Sequence, residues 1–233
     1  MSIEQELIDR RCLAYSGQGG VPECQWIGTS GAHLSGYFCL DPASPDLVFI
    51  KKIARELIAP FIGLGIKTVV TPATGSIPLS LLVTEELMAA EGDDTIKSVW
   101  ADKVIKGDGT KGFDFTRPGF SGHVAGQKVL LVEDVINRQH TASQVIELIR
   151  AVGGELVGVT TVAAQGKITA ESLDVPSFHK LCEINYDAWE PEQCTLEGPC
   201  SRKSPIVADP GLGHGQEHQQ AHSDYQGGYI TLL

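Results

Sequence analysis

The sequence predicts an α/β protein built on a parallel sheet of about five strands. Apolar runs alternate with amphipathic segments four times between residues 46 and 164. One alternation, residues 128–164, reads strand, helix, strand with short connections. Strands joined through a helix run parallel. With 233 residues, 42% of them hydrophobic and 20% charged, the chain has the balance of one that buries a core.

The elements follow in order. Residues 1–45 are a small N-terminal hood centred on Trp26 to Phe38. Its first residues, Met1-Ser2-Ile3-Glu4-Gln5-Glu6, lack the apolar stretch of an export leader. From Asp46 to Ile62, the spacing of Leu47, Ile50, Ile53, Ala54, Leu57, Ile58 and Phe61 is helical. Thr68-Val69-Val70 reads as a buried strand, followed by a Thr-Pro-Ala-Thr-Gly-Ser turn and a helix over 77–90. A second strand covers 96–100, and residues 101–124, rich in Gly, Lys and Asp, read as a long polar loop. Lys128 to Val132 is a fully buried strand ended by Glu133-Asp134. A helix over 141–152 stops at Gly153-Gly154, and a strand runs from 156 to 164. The α/β core thus spans 46–184, and 185–233, with four prolines and many glycines, reads as an irregular, partly mobile tail.

Charge and composition narrow the function. Asp and Glu number 29 against 18 Lys and Arg, a net charge of −11, which excludes a dedicated nucleic-acid binder but leaves room for a local basic pocket. No apolar run reaches the roughly 18 residues of a spanning helix, so no membrane role is expected. Six scattered cysteines are too few for a disulfide scaffold, and a reduced, cytoplasmic chain is expected. Cys194 and Cys200 are separated by five residues, more than one zinc knuckle uses. They are read as reduced, unrelated surface cysteines, with a structural metal site shared with Cys182, or with His214 and His218, as the alternative; no metal ligands are assigned. His214, His218 and His222 recur every four residues and would share a helix face.

The most informative stretch runs from Val129 to Ala142. An apolar strand delivers the adjacent carboxylates Glu133 and Asp134, then a loop, then a helix N-terminus. Carboxylates accept hydrogen bonds from ribose hydroxyls, and helix N-terminal amides hold phosphate. The same residues also suit a strand end that solvates the sheet edge and caps the helix.

Val132-Glu133-Asp134-Val135-Ile136 and Thr141-Ala142 resemble the motif of the type I phosphoribosyltransferases. Ser30-Gly31-Ala32-His33-Leu34-Ser35-Gly36-Tyr37-Phe38 and Thr71 to Leu79 are similar to the N-terminal segment and pyrophosphate loop of their orotate branch. Trp189 to Cys194 resembles the ends of some bacterial members. The resemblance covers roughly residues 26–166. It implies that fold, and transfer of a phosphoribosyl group from 5-phosphoribosyl-1-pyrophosphate (PRPP) to a pyrimidine, most simply orotate, with Mg²⁺ and in a homodimer. It places Asp134, Lys103 and Lys106 as catalytic residues, the lysines on a mobile lid. PRPP would be held by Glu133, Asp134, Asn137, Arg138, His140 and Thr141, with Thr74, Gly75 and Ser76 around the pyrophosphate. Tyr37, Phe38 and Gln165 would face the base.

Three departures accompany it. Asn137-Arg138-Gln139-His140 stands where the family has Thr-Thr-Gly-Gly, so bulky residues replace glycines in the 5-phosphate loop; Arg138 offers its own fork of donors instead. Gln165 stands where an arginine grips the orotate carboxylate, and Asp102 where the lid has arginine. A relative acting on another base or phosphosugar, or a non-catalytic nucleotide or PRPP sensor, is the alternative.

Overall fold

The computed structural model describes residues 1–28 and 30–232. The chain divides into two compact units, Ser44–Ile184 and a second made of Met1–Ala43 with Asn185–Leu233.

The Ser44–Ile184 unit opens with α1 (Leu47–Ile58), whose N-cap Asp46 accepts a hydrogen bond from the Phe49 amide at 3.1 Å. Then come β1 (Thr68–Pro72), α2 (Ile77–Glu91), β2 (Lys97–Ile105), β3 (Lys111–Asp114), α3 (Phe120–Val124) and β4 (Lys128–Ile136). The unit closes with α4 (His140–Ala151), β5 (Glu155–Gln165), α5 (Ala170–Leu173) and β6 (Phe178–Ile184). The sheet order is β6-β5-β4-β1-β2-β3, parallel throughout except for the antiparallel β2–β3 pair. The inner strands read as continuous apolar runs because both their faces are covered: Val129 to Val132 are fully buried. On one face Ala142, Val145, Ile146 and Ile149 of α4 pack with Val70, Val129, Leu131 and Val159. α1 packs against α2, and both lie on the sheet.

Three expectations are corrected here. Residues 101–124 are not an irregular loop: β2 continues to Ile105 and pairs with β3, Lys103 opposite Phe113 and Val104 opposite Gly112, and α3 follows. The two-stranded ribbon's exposed lysines and Asp114 interrupt its apolar residues, so it lacks the alternation that marks a strand. Glu133 and Asp134 do not end β4. Pairing continues past them, Glu133 opposite Thr161 and Ile136 opposite Ala164. The sheet also has an edge strand, β6, whose half-exposed residues gave too weak a pattern to be read.

In the other unit, residues Leu13–Tyr15 pair with Gly36–Phe38, and Trp26–Ile27, His33–Leu34 and Ala188–Trp189 form a three-stranded sheet. Ile206–Val207 pairs with Tyr229–Ile230. The C-terminal residues are therefore not a separate irregular tail. They complete the small core of the N-terminal segment, where Cys24, Trp26, Ala32 and Leu34 meet Val207 and Leu212. Backbones approach closely there: a Cβ on Gly215 would lie 1.8 Å from the Val207 carbonyl oxygen. Phe38, expected to face a base, is 4% exposed and is a core residue, while Tyr37 is half-buried against the same cluster. The cysteines are all free thiols, yet Cys194 is completely buried, which corrects its reading as a surface residue. His214 and His222 flank the helix Gly215–Ala221, and the His218 and His222 rings lie 4.6 Å apart on one face.

Candidate functional site

β1 lies between β2 on one side and β4 on the other, so the strand order reverses at β1. Open α/β sheets bind ligands beyond the carboxyl ends of the strands at such a switch point. Two loops leave there. The first, after β1, is pinned to both neighbouring strands: Thr71 Oγ1 donates to the Val132 carbonyl at 2.8 Å, and the Ala73 amide to the Ala101 carbonyl at 2.8 Å. Thr74 and Gly75 are exposed beyond it, and Ser76 is buried.

Ser76 precedes α2 as its N-cap but makes no capping bond. Its hydroxyl instead donates to Asp134 Oδ1 at 2.9 Å and accepts from the Asp134 amide at 3.1 Å. Asp134 Oδ1 also accepts from the Val135 amide at 2.9 Å. The same oxygen thus takes both bonds, and the carboxylate is fixed by Ser76 of the β1 loop and by the Val135 amide of β4. Asp134 Oδ2 lies 3.8 Å from where a Cβ on Gly75 would stand, so the bare glycine backbone borders the carboxylate.

Glu133 differs from its neighbour. It is 7% exposed, and among the described residues its Oε2 has no hydrogen-bond partner. Burial first, and the adjacent Asp134 charge second, raise its pKa well above the ordinary carboxyl value. A buried acceptor left without a donor costs about 1–3 kcal/mol. A ligand hydroxyl or a cation at Oε2 would remove that cost.

The second loop, Asn137 to His140, leads into α4. Gln139 takes φ 54° and ψ −21°, the left-handed conformation that glycine adopts freely, and its side chain donates to Ser172 Oγ at 2.7 Å. The turn thus survives without glycine, at roughly 1 kcal/mol of strain. Arg138 and His140 are exposed, while Asn137 and Thr141 are half-buried. The first-turn amides of a helix lack intrahelical acceptors and favour an anion. The structure therefore gathers Thr74, Gly75, Ser76, Glu133 and Asp134 at the switch point, with Asn137, Arg138, His140 and Thr141 on the loop that follows.

Lys103 and Lys106 stand on the β2–β3 hairpin, both exposed, with Lys106 at its tip and the Lys106 side chain lying over Gly112. Among the described residues neither forms an ion pair. Asp102, which replaces a positive charge in the resemblance, is itself neutralised. Thr116 donates to it, and Arg117 Nε lies 3.1 Å from its Oδ2; together these lower its pKa. Arg117 also lies over the Trp100 ring at 5.9 Å. Arg117 was not read from the sequence, because only the hairpin register (Asp102 opposite Asp114) shows that the chain returns beside Asp102. Gln165 ends β5 opposite Ile184 and is half-buried. Tyr37 and Phe38 belong to the other unit.

Residues 47–197 match the model of the phosphoribosyl transferase domain, well over half of the chain. The chain belongs to the phosphoribosyltransferase family. This phosphoribosyltransferase is 31% identical over 185 residues to an orotate phosphoribosyltransferase of Caldanaerobacter subterraneus subsp. tengcongensis, covering 77% of this chain and 84% of the relative. It is 35% identical over 181 residues to an orotate phosphoribosyltransferase of Pelotomaculum thermopropionicum, covering 77% and 84%. In fold, it is similar to the orotate phosphoribosyltransferase of Aeropyrum pernix (TM-score 0.55, 18% identity, 77% of this chain and 93% of that one). It is also similar to the adenine phosphoribosyltransferase of Rhodothermus marinus (TM-score 0.53, 17% identity, 78% and 98%). Enzymes named for different bases thus share its fold, so the fold does not select the base.

Proposed function

We propose that this phosphoribosyltransferase moves the 5-phosphoribosyl group of PRPP to orotate, releasing pyrophosphate. The carrying observation is the Glu133–Asp134 pair on β4, with Asp134 fixed by Ser76 of the β1 loop and Glu133 Oε2 lacking a partner. In the reaction the bond from C1 of the ribose to pyrophosphate breaks and a base nitrogen bonds to C1. The sugar carries positive charge in between. The nitrogen's proton is already absent or leaves to solvent.

The residues divide that work. Asp134 and Glu133 accept hydrogen bonds from the two ribose hydroxyls, and the Asp134 charge faces the developing cation. Thr74, Gly75 and Ser76 offer backbone amides to the pyrophosphate, while Lys103 and Lys106 supply cations from the hairpin. The α4 N-terminus and Arg138 hold the 5-phosphate. Two adjacent carboxyls, one with an unpartnered buried oxygen, fit Mg²⁺, which takes one or two carboxylates together with substrate phosphates. Bound there, the ion would neutralise charge on the departing pyrophosphate.

The orotate relatives named above support that acceptor. Gln165 supports a second reading, another base, because a neutral amide ends β5 where an arginine would pair with the orotate carboxylate. A homodimer is in keeping with the exposed Leu47, Val48, Ile62 and Leu81, which a partner surface would cover. No helix among the described residues is long and apolar enough to cross a membrane.

The test is calorimetric titration with PRPP and Mg²⁺, followed by product analysis with orotate and then with uracil, adenine and hypoxanthine. Orotidine 5-monophosphate formed in preference to other products is the expected result. Product from another base alone would replace orotate as the acceptor. Failure to bind PRPP would overturn the reading.

A further inference from the structure

The second unit contains a buried cluster that the transfer chemistry does not use. His33 Nδ1, Cys194 Sγ and Cys200 Sγ lie within 4.8 Å of one another. His33 is 4% exposed, and Cys194 and Gln25 are fully buried. Gln25 Oε1 points into the cluster, 2.7 Å from His33 Nδ1 and 3.6 Å from each sulfur. Its orientation is set from behind, since Gln25 Nε2 donates to the Ser204 carbonyl at 2.8 Å and to Tyr225 Oη at 2.9 Å. We propose that Gln25, His33, Cys194 and Cys200 form a tetrahedral zinc site that ties the N-terminal segment to the C-terminal one.

Three features carry this. The spacing is right: bonds of about 2.0–2.3 Å to a tetrahedral zinc set donor atoms about 3.3–3.8 Å apart. The Cys200 Sγ–His33 Nδ1 distance is 3.3 Å, and both sulfurs stand 3.6 Å from the amide oxygen. The imidazole–amide edge, now at hydrogen-bond length, must open, and the two remaining edges, from Cys194 Sγ to His33 and to Cys200 Sγ, lie within 4.8 Å. The donor count also favours a cation. An amide oxygen has two lone pairs, yet the His33 N–H and both thiols converge on this one. Finally, the Cys200 amide donates to Cys194 Sγ at 3.2 Å, a bond that stabilises a thiolate. Gly198 permits that fold-back, since a Cβ there would lie 2.8 Å from Cys194 Cα.

The donor set of two sulfurs, an imidazole and an oxygen selects zinc over Mg²⁺ or Ca²⁺, which take oxygen. Binding replaces both thiol protons with Zn–S bonds and releases them to solvent, and the His33 proton moves to Nε2. The spacing rule that argued against a zinc knuckle holds only for ligands within one loop. Here strand pairing brings His33 opposite Trp189, beside the helix that carries Cys194.

The test measures zinc in the full-length protein, then cobalt in the chelator-stripped protein. One zinc per chain is expected, and Co²⁺ should give tetrahedral visible bands and thiolate charge-transfer bands that saturate at one equivalent. Zn²⁺ should raise the thermal midpoint of the stripped protein by roughly 5 °C or more. Cys200→Ser and His33→Ala should lower the zinc content at least about tenfold, whereas Cys39→Ser should retain it. Cobalt spectra of the wild-type chain decide the matter even if those variants do not fold. Absence of zinc together with absence of thiolate–cobalt bands in the wild type would overturn the proposal, as would full zinc content in Cys200→Ser. PRPP turnover is a separate measurement, so either proposal can fail alone.

Discussion

The carboxylate pair on β4 and the loop that follows lie within eight residues of each other, but they keep different parts of the family pattern. Glu133 and Asp134 stand inside a paired strand, with Asp134 locked to Ser76. The Asn137–His140 loop retains the left-handed turn while giving up the glycine that makes the turn easy. On the proposed function, the difference teaches that groups set to face the reacting carbon depend on position to a fraction of an ångström, which a strand secures. A phosphate held by several amides and a guanidinium tolerates exchange of one donor for another.

That contrast makes ranked predictions. Asp134→Asn keeps the shape and loses the charge facing the sugar, so kcat should fall by about 10²-fold or more, with the PRPP KM changed only a few-fold. Steady-state kinetics reads both. Arg138→Ala removes a charge-assisted phosphate contact worth roughly 1.5–3 kcal/mol, so the PRPP KM should rise by about tenfold or more with kcat largely kept. A fall in kcat alone would place Arg138 with the chemistry and erase the contrast.

Glu133→Gln should act on stability through pH. The unfolded side chain ionises near its ordinary value of 4.5, while the buried one holds its proton to higher pH. Between those values the folded state binds more protons, so stability falls as pH rises above about 4.5 and levels off past the raised value. Removing the ionisable group should therefore raise the thermal midpoint at pH 8 relative to the wild type, and the gain should shrink below pH 4.5. An equal change at both pH values would mean that ionisation of Glu133 is not its cause. The smallest effect belongs to Gln139→Gly. Relief of about 1 kcal/mol of left-handed strain is set against glycine's unfolded-state entropy and the lost bond to Ser172, leaving a change within about 1 kcal/mol. Denaturant unfolding measures it, and a loss of several kcal/mol would show that the Gln139 side chain organises the loop.

The parallel core was legible because β1, β4 and β5 are buried on both faces and read as apolar runs between helices of clear period. The motif residues were legible because they follow buried apolar runs in fixed order. What escaped depended on pairing between distant residues. The β2–β3 hairpin mixes charged and apolar residues without a clean alternation, so nothing in its sequence marked Arg117 as Asp102's partner. The half-exposed β6 gave no apolar run, and the second unit is held by strands of two or three residues. Its order comes from contacts between residues near 30 and residues near 190, which no local period reveals.

The most direct test is single-turnover transfer at saturating PRPP, with Asp134→Asn and Arg138→Ala measured side by side. The division of labour predicts that excess PRPP restores the Arg138→Ala rate to within a few-fold of the wild type and leaves Asp134→Asn about 10²-fold slow. Rescue of Asp134→Asn by PRPP, or a persistent defect in Arg138→Ala, would contradict it.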